Sequence, residues 1–264
     1  MSSASGVEYL NLLVSTNGPA ARITLNRPDK RNALSLELMQ ELIDALRAAS
    51  ANPDTRAIVI DAAGPAFSAG HDLSEMIGRE EAFLDELFAT CTELMQTIHE
   101  LPQPVIAKVH GIATAAGCQL VAACDLAVAT DTARFATPGV KIGLFCSTPM
   151  VPVSRAVGRK RAMQMLLTGE PIDAATALNW GLVNQVVPAD QLEPAVERLV
   201  EAIARSSSYT VALGKQAFYD QIDRAESDAY EHTKVVMREN ALAADAQEGM
   251  TAFLQKRAPN WTGR

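Results

Sequence analysis

The chain has 264 residues, of which 48% are hydrophobic and 20% charged, so it is not a disordered protein and can form one large domain or two small ones. A net charge of −8 and a pI of about 5.1 argue against a bulk nucleic-acid binder, and an anionic ligand would need a local basic patch. The sequence has no long apolar run and no basic N-terminal region, so we expect neither a signal peptide nor a membrane segment. Its cysteines do not have C-x-x-C spacing, which predicts reduced, buried thiols and a cytoplasmic location.

The first half of the chain alternates predicted strands with predicted helices. Segments 7–16 and 20–26 predict a hairpin, and Ser35 is a candidate N-cap for a helix whose apolar stripe runs from Met39 to Leu46. The further predicted elements are a strand over 57–61, a helix over about 79–100, a strand over 104–109, a short helix over 114–123 and strands over 125–130 and 133–136.

Helices dominate the chain after a last predicted strand over 183–187. Asp190 with Glu193, and Asp245 with Glu248, have capping-box spacing and predict the starts of two helices. Two more helices are predicted, over about 208–222 and 226–243. The pattern indicates an α/β core followed by a helical C-terminal region.

Standard catalytic motifs are absent from the sequence. It contains no Gly-rich nucleotide loop and no nucleophile elbow, and its four histidines have no metal-ligand spacing, so no metal site is predicted. His99 and His232 lie in predicted helices among charged neighbours and are expected to be solvated. His110 ends a strand and is expected to be structural.

Two segments rich in small residues follow predicted buried strands, at 64–72 and 110–119. Small residues let a ligand reach main-chain N–H groups, and the second segment also begins a helix, whose free N–H groups favour negative charge. Together the two segments could form an oxyanion hole. The alternative is that small residues only allow a helix and a strand to pack closely.

With its other motifs, the sequence resembles the crotonase (enoyl-CoA hydratase/isomerase) superfamily over nearly its whole length. The matching segments are 23–34, 67–72, 109–118, 135–138, 167–171, 180–183 and 253–259. A closer resemblance, to one subgroup of that superfamily, is carried by 113–122, 135–140 and 143–149.

The resemblance implies a fold, α/β with a crotonase-like spiral of ββα turns, and an assembly. Residues 1–200 would form the spiral core that binds a coenzyme A thioester, and 201–264 a helical C-terminal region for oligomerisation. The expected assembly is a homotrimer or a dimer of trimers. The helical region carries apolar stripes, with Val235, Val236, Leu242 and Phe253, that a lone chain would leave exposed.

The resemblance also implies the residues of the site. The main-chain N–H groups of His71 and Ala116 would form the oxyanion hole. Contacts with the substrate or its coenzyme A are expected at Lys30, Arg31, Ala33, Ala69, Asp72, Leu73, Gly117, Ser147, Phe253 and Lys256. Coenzyme A would be part of the substrate, an acyl- or enoyl-CoA thioester, and no permanently bound cofactor is expected.

The sequence departs from the superfamily pattern at the catalytic glutamates. Gln119 and Gly139 occupy the two positions, and neither side chain can act as a carboxylate base. Ser147 stands where some relatives have an aspartate. Cys146, Ser147 and Thr148 remain as polar candidates, with the His71 side chain the only plausible base for them and Glu75 near in sequence.

These departures leave three functional hypotheses. The first is an enzyme that stabilises a thioester enolate and uses a non-standard base. The second is an ordinary enoyl-CoA hydratase, a lyase of fatty-acid metabolism. The third is a non-catalytic acyl-CoA-binding protein.

If the missing carboxylates limit hydration, the double substitution Gln119→Glu with Gly139→Glu should raise the rate of hydration. The exception would be a positive φ at Gly139, a conformation that glutamate resists.

Overall fold

Two β-sheets form the centre of the fold in the computed structural model of the chain, which describes residues 8–264. The strands of the main sheet are, in spatial order, β1 (Leu12–Asn17), β2 (Ala20–Leu25), β3 (Ala57–Ala62), β5 (Val105–Val109), β7 (Leu126–Thr130) and β10 (Gln185–Val187). Those of the second sheet are β4 (Ala66–Ser68), β6 (Ile112–Thr114), β8 (Arg134–Ala136) and β9 (Ile172–Asp173). The pairs β1–β2 and β8–β9 are antiparallel, and the other neighbours are parallel.

A repeat builds both sheets together. Each long strand of the main sheet is followed at once by a short strand of the second, so β3 leads to β4, β5 to β6 and β7 to β8. The chain then returns to start the next parallel strand, with Ile58 opposite Val105 and Ile106 opposite Leu126. This repeat confirms the predicted spiral. It places the three connections from the main sheet to the second sheet at the carboxyl ends of β3, β5 and β7.

Helices cover the main sheet on both faces. The α-helices within residues 8–264 are α1 (Leu36–Ala51), α2 (Leu73–Met76), α3 (Glu81–Glu100), α4 (Ala116–Ala123), α5 (Met150–Val157), α6 (Arg159–Thr168), α7 (Ala174–Trp180), α8 (Leu192–Ala204), α9 (Ser208–Gln221), α10 (Glu226–Leu242) and α11 (Ala244–Gln255). α1 and α3 pack together on one face, and α8 packs on the other. None of these helices is long and apolar enough to cross a lipid bilayer.

The predicted cap and stripe of α1 are confirmed. The Ser35 hydroxyl accepts a hydrogen bond from the Leu38 N–H at 3.2 Å and so begins the helix. Leu38, Leu42 and Leu46 are fully buried, and each contributes about 1.5–3 kcal/mol through its burial. Successive residues of β3 alternate between this cluster and the one under α8, so β3 is buried on both faces, as predicted.

The short strands β4, β6 and β9 are missing from the sequence-based prediction. Two or three residues are too few for an alternating pattern to emerge, and the sequence predicts loops or helix there. The predicted strand over 133–136 exists as β8 but pairs with β6, in the second sheet. The hairpin is confirmed from Leu12 onward, and its predicted first residue, Val7, lies outside the described residues.

The two predicted capping boxes do not form. Glu193 makes ion pairs with Arg22 and Lys108 on the sheet instead of capping α8. Asp245 accepts hydrogen bonds from the Ser207 hydroxyl at 2.6 Å and from the main chain of 262–263, not from the first turn of α11. In both cases a partner distant in sequence occupies the carboxylate, which local spacing cannot reveal.

A buried polar cluster, here called the Lys215 cluster, fixes α9 to the core. The Lys215 ammonium donates to the Asp125 carboxylate at 2.7 Å and to two main-chain carbonyl oxygens at 2.7 and 2.9 Å. The Tyr219 hydroxyl donates to the same carboxylate at 2.8 Å, and the His99 ring stacks on Tyr219 at 4.1 Å between centroids. The expected solvation of His99 is therefore wrong, because its ring is half-buried under α9.

Candidate functional site

A cavity of about 540 Å³ opens where the chain leaves the short strands β4, β6 and β8 of the second sheet. Its lining comes from Ala69, His71 and Leu73 after β4, from Phe88 of α3, from Ala115 and Ala116 at the start of α4, and from segment 138–149. Most of these side chains are apolar. Among the described residues that line the cavity there is no aspartate or glutamate.

The wall that follows β4 is held in place by segment 27–34. The fully buried Asn32 donates from its amide to two main-chain carbonyl oxygens, one before and one within β4, both at 2.8 Å. Leu34 forms an isolated parallel bridge with His71, and its N–H donates to the Gly70 carbonyl at 2.7 Å. The bridge uses the main-chain groups of Leu34, while the His71 N–H finds no acceptor in residues 8–264.

The second wall is the start of α4. Ala115 has φ +50° and ψ −120°, a conformation that non-glycine residues seldom adopt, and it turns the chain from β6 into the helix. Ala116 is the first residue of α4, so its N–H has no partner in the helix, and none elsewhere in the described chain. A Cβ at Gly70 would lie 3.2 Å from the Ala116 nitrogen, so the two walls approach closely.

The cavity lining therefore includes two residues, His71 and Ala116, whose main-chain N–H groups make no hydrogen bond within residues 8–264. Ala116 begins α4, so the positive end of the helix dipole lies at this part of the lining. In a mostly apolar cavity such donors bind an oxygen more strongly as it gains negative charge. The arrangement can stabilise an enolate or another oxyanion.

The third wall folds back onto Gly139. A Cβ at this position would lie 1.9 Å from the Leu144 carbonyl oxygen and 2.9 Å from the Cys146 sulfur. The Leu144 N–H donates to the Gly139 carbonyl at 2.9 Å, which closes the loop. Gly139 does not have a positive φ, so the expected obstacle to glutamate there is wrong. The obstacle is that main chain fills the space of a side chain.

In the part of the chain that the structure describes, three titratable side chains line the cavity. Burial lowers the pKa of the His71 imidazole below its ordinary 6.5 and raises the pKa of the Cys146 thiol, so both are neutral at pH 7. The Lys141 ammonium pairs with Glu170 at 2.7 Å.

Like Cys146, the other three cysteines are buried and form no disulfide bond, as predicted.

The structure brings six of the predicted site residues together and leaves eight outside the cavity lining. Those that line it are Ala69, His71, Leu73, Ala116, Gly139 and Ser147. Gly117, in α4, packs against β4 and does not line the cavity: a Cβ at this position would lie 2.5 Å from the Ser68 carbonyl oxygen. Close packing and free N–H groups thus occur in the same segment.

Neither Gln119 nor Glu75 reaches the cavity. The Gln119 side chain is buried, with its Oε1 3.7 Å from the Cys91 sulfur of α3. The Glu75 carboxylate accepts a hydrogen bond from the Leu36 N–H at 2.9 Å, at the start of α1. Proximity in sequence to His71 is therefore misleading for Glu75.

The other predicted coenzyme A contacts lie on two separate parts of the chain, in segment 30–33 with Asp72 and at the end of α11. Lys30 and Arg31 are exposed next to the buried Ala33, and within residues 8–264 neither cation has an ion-pair partner. Asp72 caps α2 and pairs with Arg27 at 3.0 Å, so both side chains are engaged within the protein. Phe253 and Lys256 lie at the exposed end of α11 and do not line the cavity of this single chain.

Phe88 and Leu144 line the cavity although no sequence motif marks them as parts of a site. Phe88 falls on the apolar stripe of α3 and is indistinguishable there from a core residue. Leu144 matters through its carbonyl oxygen, for which a sequence carries no signal. Cys146 and Thr148 were singled out only by their polar side chains and do line the cavity.

Known proteins resemble this chain over most of its length. The family model described as Enoyl-CoA hydratase/isomerase matches residues 15–264. The chain is 51% identical over 242 residues to enoyl-CoA hydratase domain-containing protein 3 of Xenopus laevis, which covers 91% of this chain and 82% of the relative. That protein belongs to the subgroup that segments 113–122, 135–140 and 143–149 resemble, so the closer resemblance is confirmed.

Solved structures give the same result. The crystal structure of human enoyl Coenzyme A hydratase domain-containing protein 3 superposes with a TM-score of 0.93 at 46% identity, covering 95% of this chain and all of that one. The crystal structure of an enoyl-CoA hydratase of Mycobacterium smegmatis also superposes with a TM-score of 0.93, at 47% identity, covering 95% of this chain and 98% of that one.

The expected cytoplasmic location is contradicted. The Xenopus relative and the proteins of the same name from Rattus norvegicus, Danio rerio and Homo sapiens are all named mitochondrial.

Proposed function

The chain belongs to the enoyl-CoA hydratase/isomerase family, and on that premise we propose that it binds acyl- or enoyl-CoA thioesters and stabilises their enolates. The thioester oxygen would lie between the N–H groups of His71 and Ala116. The observation that supports this is that both groups lack an acceptor and line one cavity. Each such donor lowers the barrier to forming an oxyanion by about 3–4 kcal/mol.

The same cavity argues against an ordinary enoyl-CoA hydratase. Hydration needs a base that takes a proton from water and an acid that supplies one to the α-carbon, and no carboxylate lines the cavity within the described residues. Gln119 is turned into the core and Gly139 has no side chain. These observations favour enolate chemistry with another base, and also the second candidate, a protein that binds acyl-CoA without transforming it.

The proposal is tested by titrating acetyl-CoA and crotonyl-CoA into the protein by calorimetry and by assaying the hydration of crotonyl-CoA. We expect both thioesters to bind, and hydration to be far slower than a typical enzyme turnover of about 10 per second. No binding at high micromolar concentration would rule out the proposed function. Brisk hydration would show that a base has been overlooked.

Lys30, Arg31 and Lys256 are proposed to bind the phosphates of coenzyme A. All three are exposed cations on an acidic protein, and segment 27–34, which carries the first two, also supports His71. Phe253 and Lys256 would act at the cavity of a neighbouring subunit, since they do not reach their own. Residues 1–200 and 201–264 would then be a binding unit and an oligomerisation unit.

We expect the protein to be a trimer or a dimer of trimers in solution. In the single chain, Leu242 is 75% exposed and Phe253 is 81% exposed, on the helices that the sequence assigns to oligomerisation. Light scattering should give three or six times the chain mass of 28.2 kDa. A stable monomer at micromolar concentration would refute this prediction.

A further inference from the structure

The proposed enolate chemistry needs a group that moves the α-proton of the thioester. Among residues 8–264, three titratable side chains line the cavity: His71, Lys141 and Cys146. The Lys141 ammonium has no free electron pair and is engaged with Glu170. The Cys146 thiol is held in its protonated form by burial. Only the His71 imidazole carries an available base nitrogen at neutral pH.

Neither nitrogen of the His71 ring makes a hydrogen bond of good geometry, although contact with the Leu34 main chain acts against the lowering of the ring's pKa by burial. Nδ1 and Nε2 are both buried and without a partner in the described chain. Leaving a buried polar atom unpaired costs about 1–3 kcal/mol, so such an atom calls for an explanation. The contact that orients the ring is an edge-on approach to Phe88, with centroids 5.5 Å apart.

The lack of a hydrogen bond of good geometry would let the ring turn about its side-chain bonds. In this structure both are covered, so the imidazole reaches a ligand only after turning about its side-chain bonds toward the cavity. Turning gives up the contact with the Leu34 main chain but no hydrogen bond of good geometry. A bound thioester would thus supply the partner that the ring lacks.

The position of the ring fits that role. Its side chain branches from the residue whose N–H is proposed to hold the thioester oxygen, and the α-carbon is only two bonds from that oxygen. We propose that the His71 imidazole, turned into the cavity, takes the α-proton of a bound acyl thioester and returns it. This inference rests on the proposed function and adds the base that it lacks.

The step balances without another reactant. The α C–H bond breaks, its electron pair becomes the carbon–carbon double bond of the enolate, and the thioester oxygen takes the negative charge between the two N–H groups. The proton forms an N–H bond on the imidazole, and its return regenerates the thioester. In D₂O the imidazolium exchanges its proton with solvent, so deuterium enters the α-position.

The groups around the ring support a neutral base. Phe88 of α3 contributes no charge, and Cys146 and Lys141 face the cavity from segment 138–149. The adjacent Asp72 is paired with Arg27 and so does not favour the imidazolium as a free carboxylate would. Exchange should therefore be constant near pH 7–8 and fall in acid, as the imidazole becomes protonated.

The test measures deuterium incorporation at the α-carbon of butyryl-CoA in D₂O by mass spectrometry, with binding measured in parallel by calorimetry. Wild-type protein should exchange faster than buffer. His71→Gln, and His71→Phe, which keeps a ring against Phe88, should each slow exchange about 100-fold or more while binding persists, because the main-chain N–H remains. His232→Gln is the control, since the buried Nε2 of His232 makes no hydrogen bond within residues 8–264, with the Asp220 carboxylate 3.8 Å away, and the residue lies on α10 and does not line the cavity.

The outcomes separate this inference from the proposed function. Failure to bind butyryl-CoA overturns both. Binding without exchange in the wild type overturns the inference alone, as does exchange at the wild-type rate in the folded His71 variants. An exchange rate that rises steadily through pH 8–9, as expected for a thiol base, also overturns it and makes Cys146 the next residue to test.

Discussion

Gly139→Ala is expected to lower the free energy of unfolding by about 1–3 kcal/mol, a large effect for one added methyl group. The methyl carbon would lie 1.9 Å from the Leu144 carbonyl oxygen, which is main chain and cannot rotate away. The closing hydrogen bond from Leu144 to Gly139 would have to break or shift. Urea unfolding of the variant and the wild type measures the difference.

Gly214→Ala is the matched control for this prediction. Gly214 lies within α9, and no atom lies within 4 Å of its Cβ position, so alanine should stabilise the helix by up to about 1 kcal/mol. If Gly139→Ala lowers the free energy of unfolding and Gly214→Ala raises it, the lack of room for a side chain at Gly139 is the cause. Equal tolerance of both would show that segment 138–149 yields easily.

The same geometry changes the outcome expected for a restored pair of glutamates. Glutamate at 139 cannot keep this loop conformation, and glutamate at 119 would replace an amide that faces Cys91 in the core. Gln119→Glu with Gly139→Glu should therefore destabilise the protein and leave crotonyl-CoA hydration slow. A gain in hydration by the folded double variant would contradict this.

Lys215→Met is expected to lower the free energy of unfolding by about 3–5 kcal/mol. The substitution keeps the length of the side chain but leaves the Asp125 carboxylate without the ammonium at 2.7 Å, in a site where the Lys215 side chain is only 7% exposed. Two main-chain carbonyl oxygens also lose their donor. Chemical unfolding followed by circular dichroism provides the measurement.

Lys234→Met controls for the loss of a lysine as such. Lys234 forms an exposed ion pair with Glu231 on α10, and pairs of this kind contribute about 0–1 kcal/mol. A small effect at Lys234 and a large one at Lys215 would show that the Lys215 cluster fastens α9 to the core. Similar effects would show that burial of the cluster adds nothing.

The fold was predictable from sequence where an element is long enough to carry a pattern. α1, with the Ser35 cap and a leucine stripe, and β3, with its apolar run, needed no tertiary information. Short strands such as β4 needed the partner strand beside them. Capping also failed as a local rule, because Glu193 and Asp245 bind groups that only the folded chain brings near.

The site was predictable where it depends on residue type and family resemblance, and less so where it depends on main-chain geometry. The resemblance pointed to His71 and Ala116, although a free N–H has no residue type of its own. The reason for glycine at 139 is a carbonyl oxygen five residues later, which no side-chain pattern shows. The unpaired nitrogens of His71 are likewise visible only as missing partners.

The order of strands in the main sheet has a consequence for refolding. β3, β5 and β7 are neighbours in the sheet in the same order as in the chain. The connection from β3 to β5 is long, and the one from β5 to β7 is shorter. Parallel pairing across such connections is slow, and until β10 arrives the edge of β7 offers unpaired N–H and C=O groups to other chains. Recovery of soluble protein from denaturant should therefore be good in dilute solution and fall, through aggregation, as the protein concentration rises.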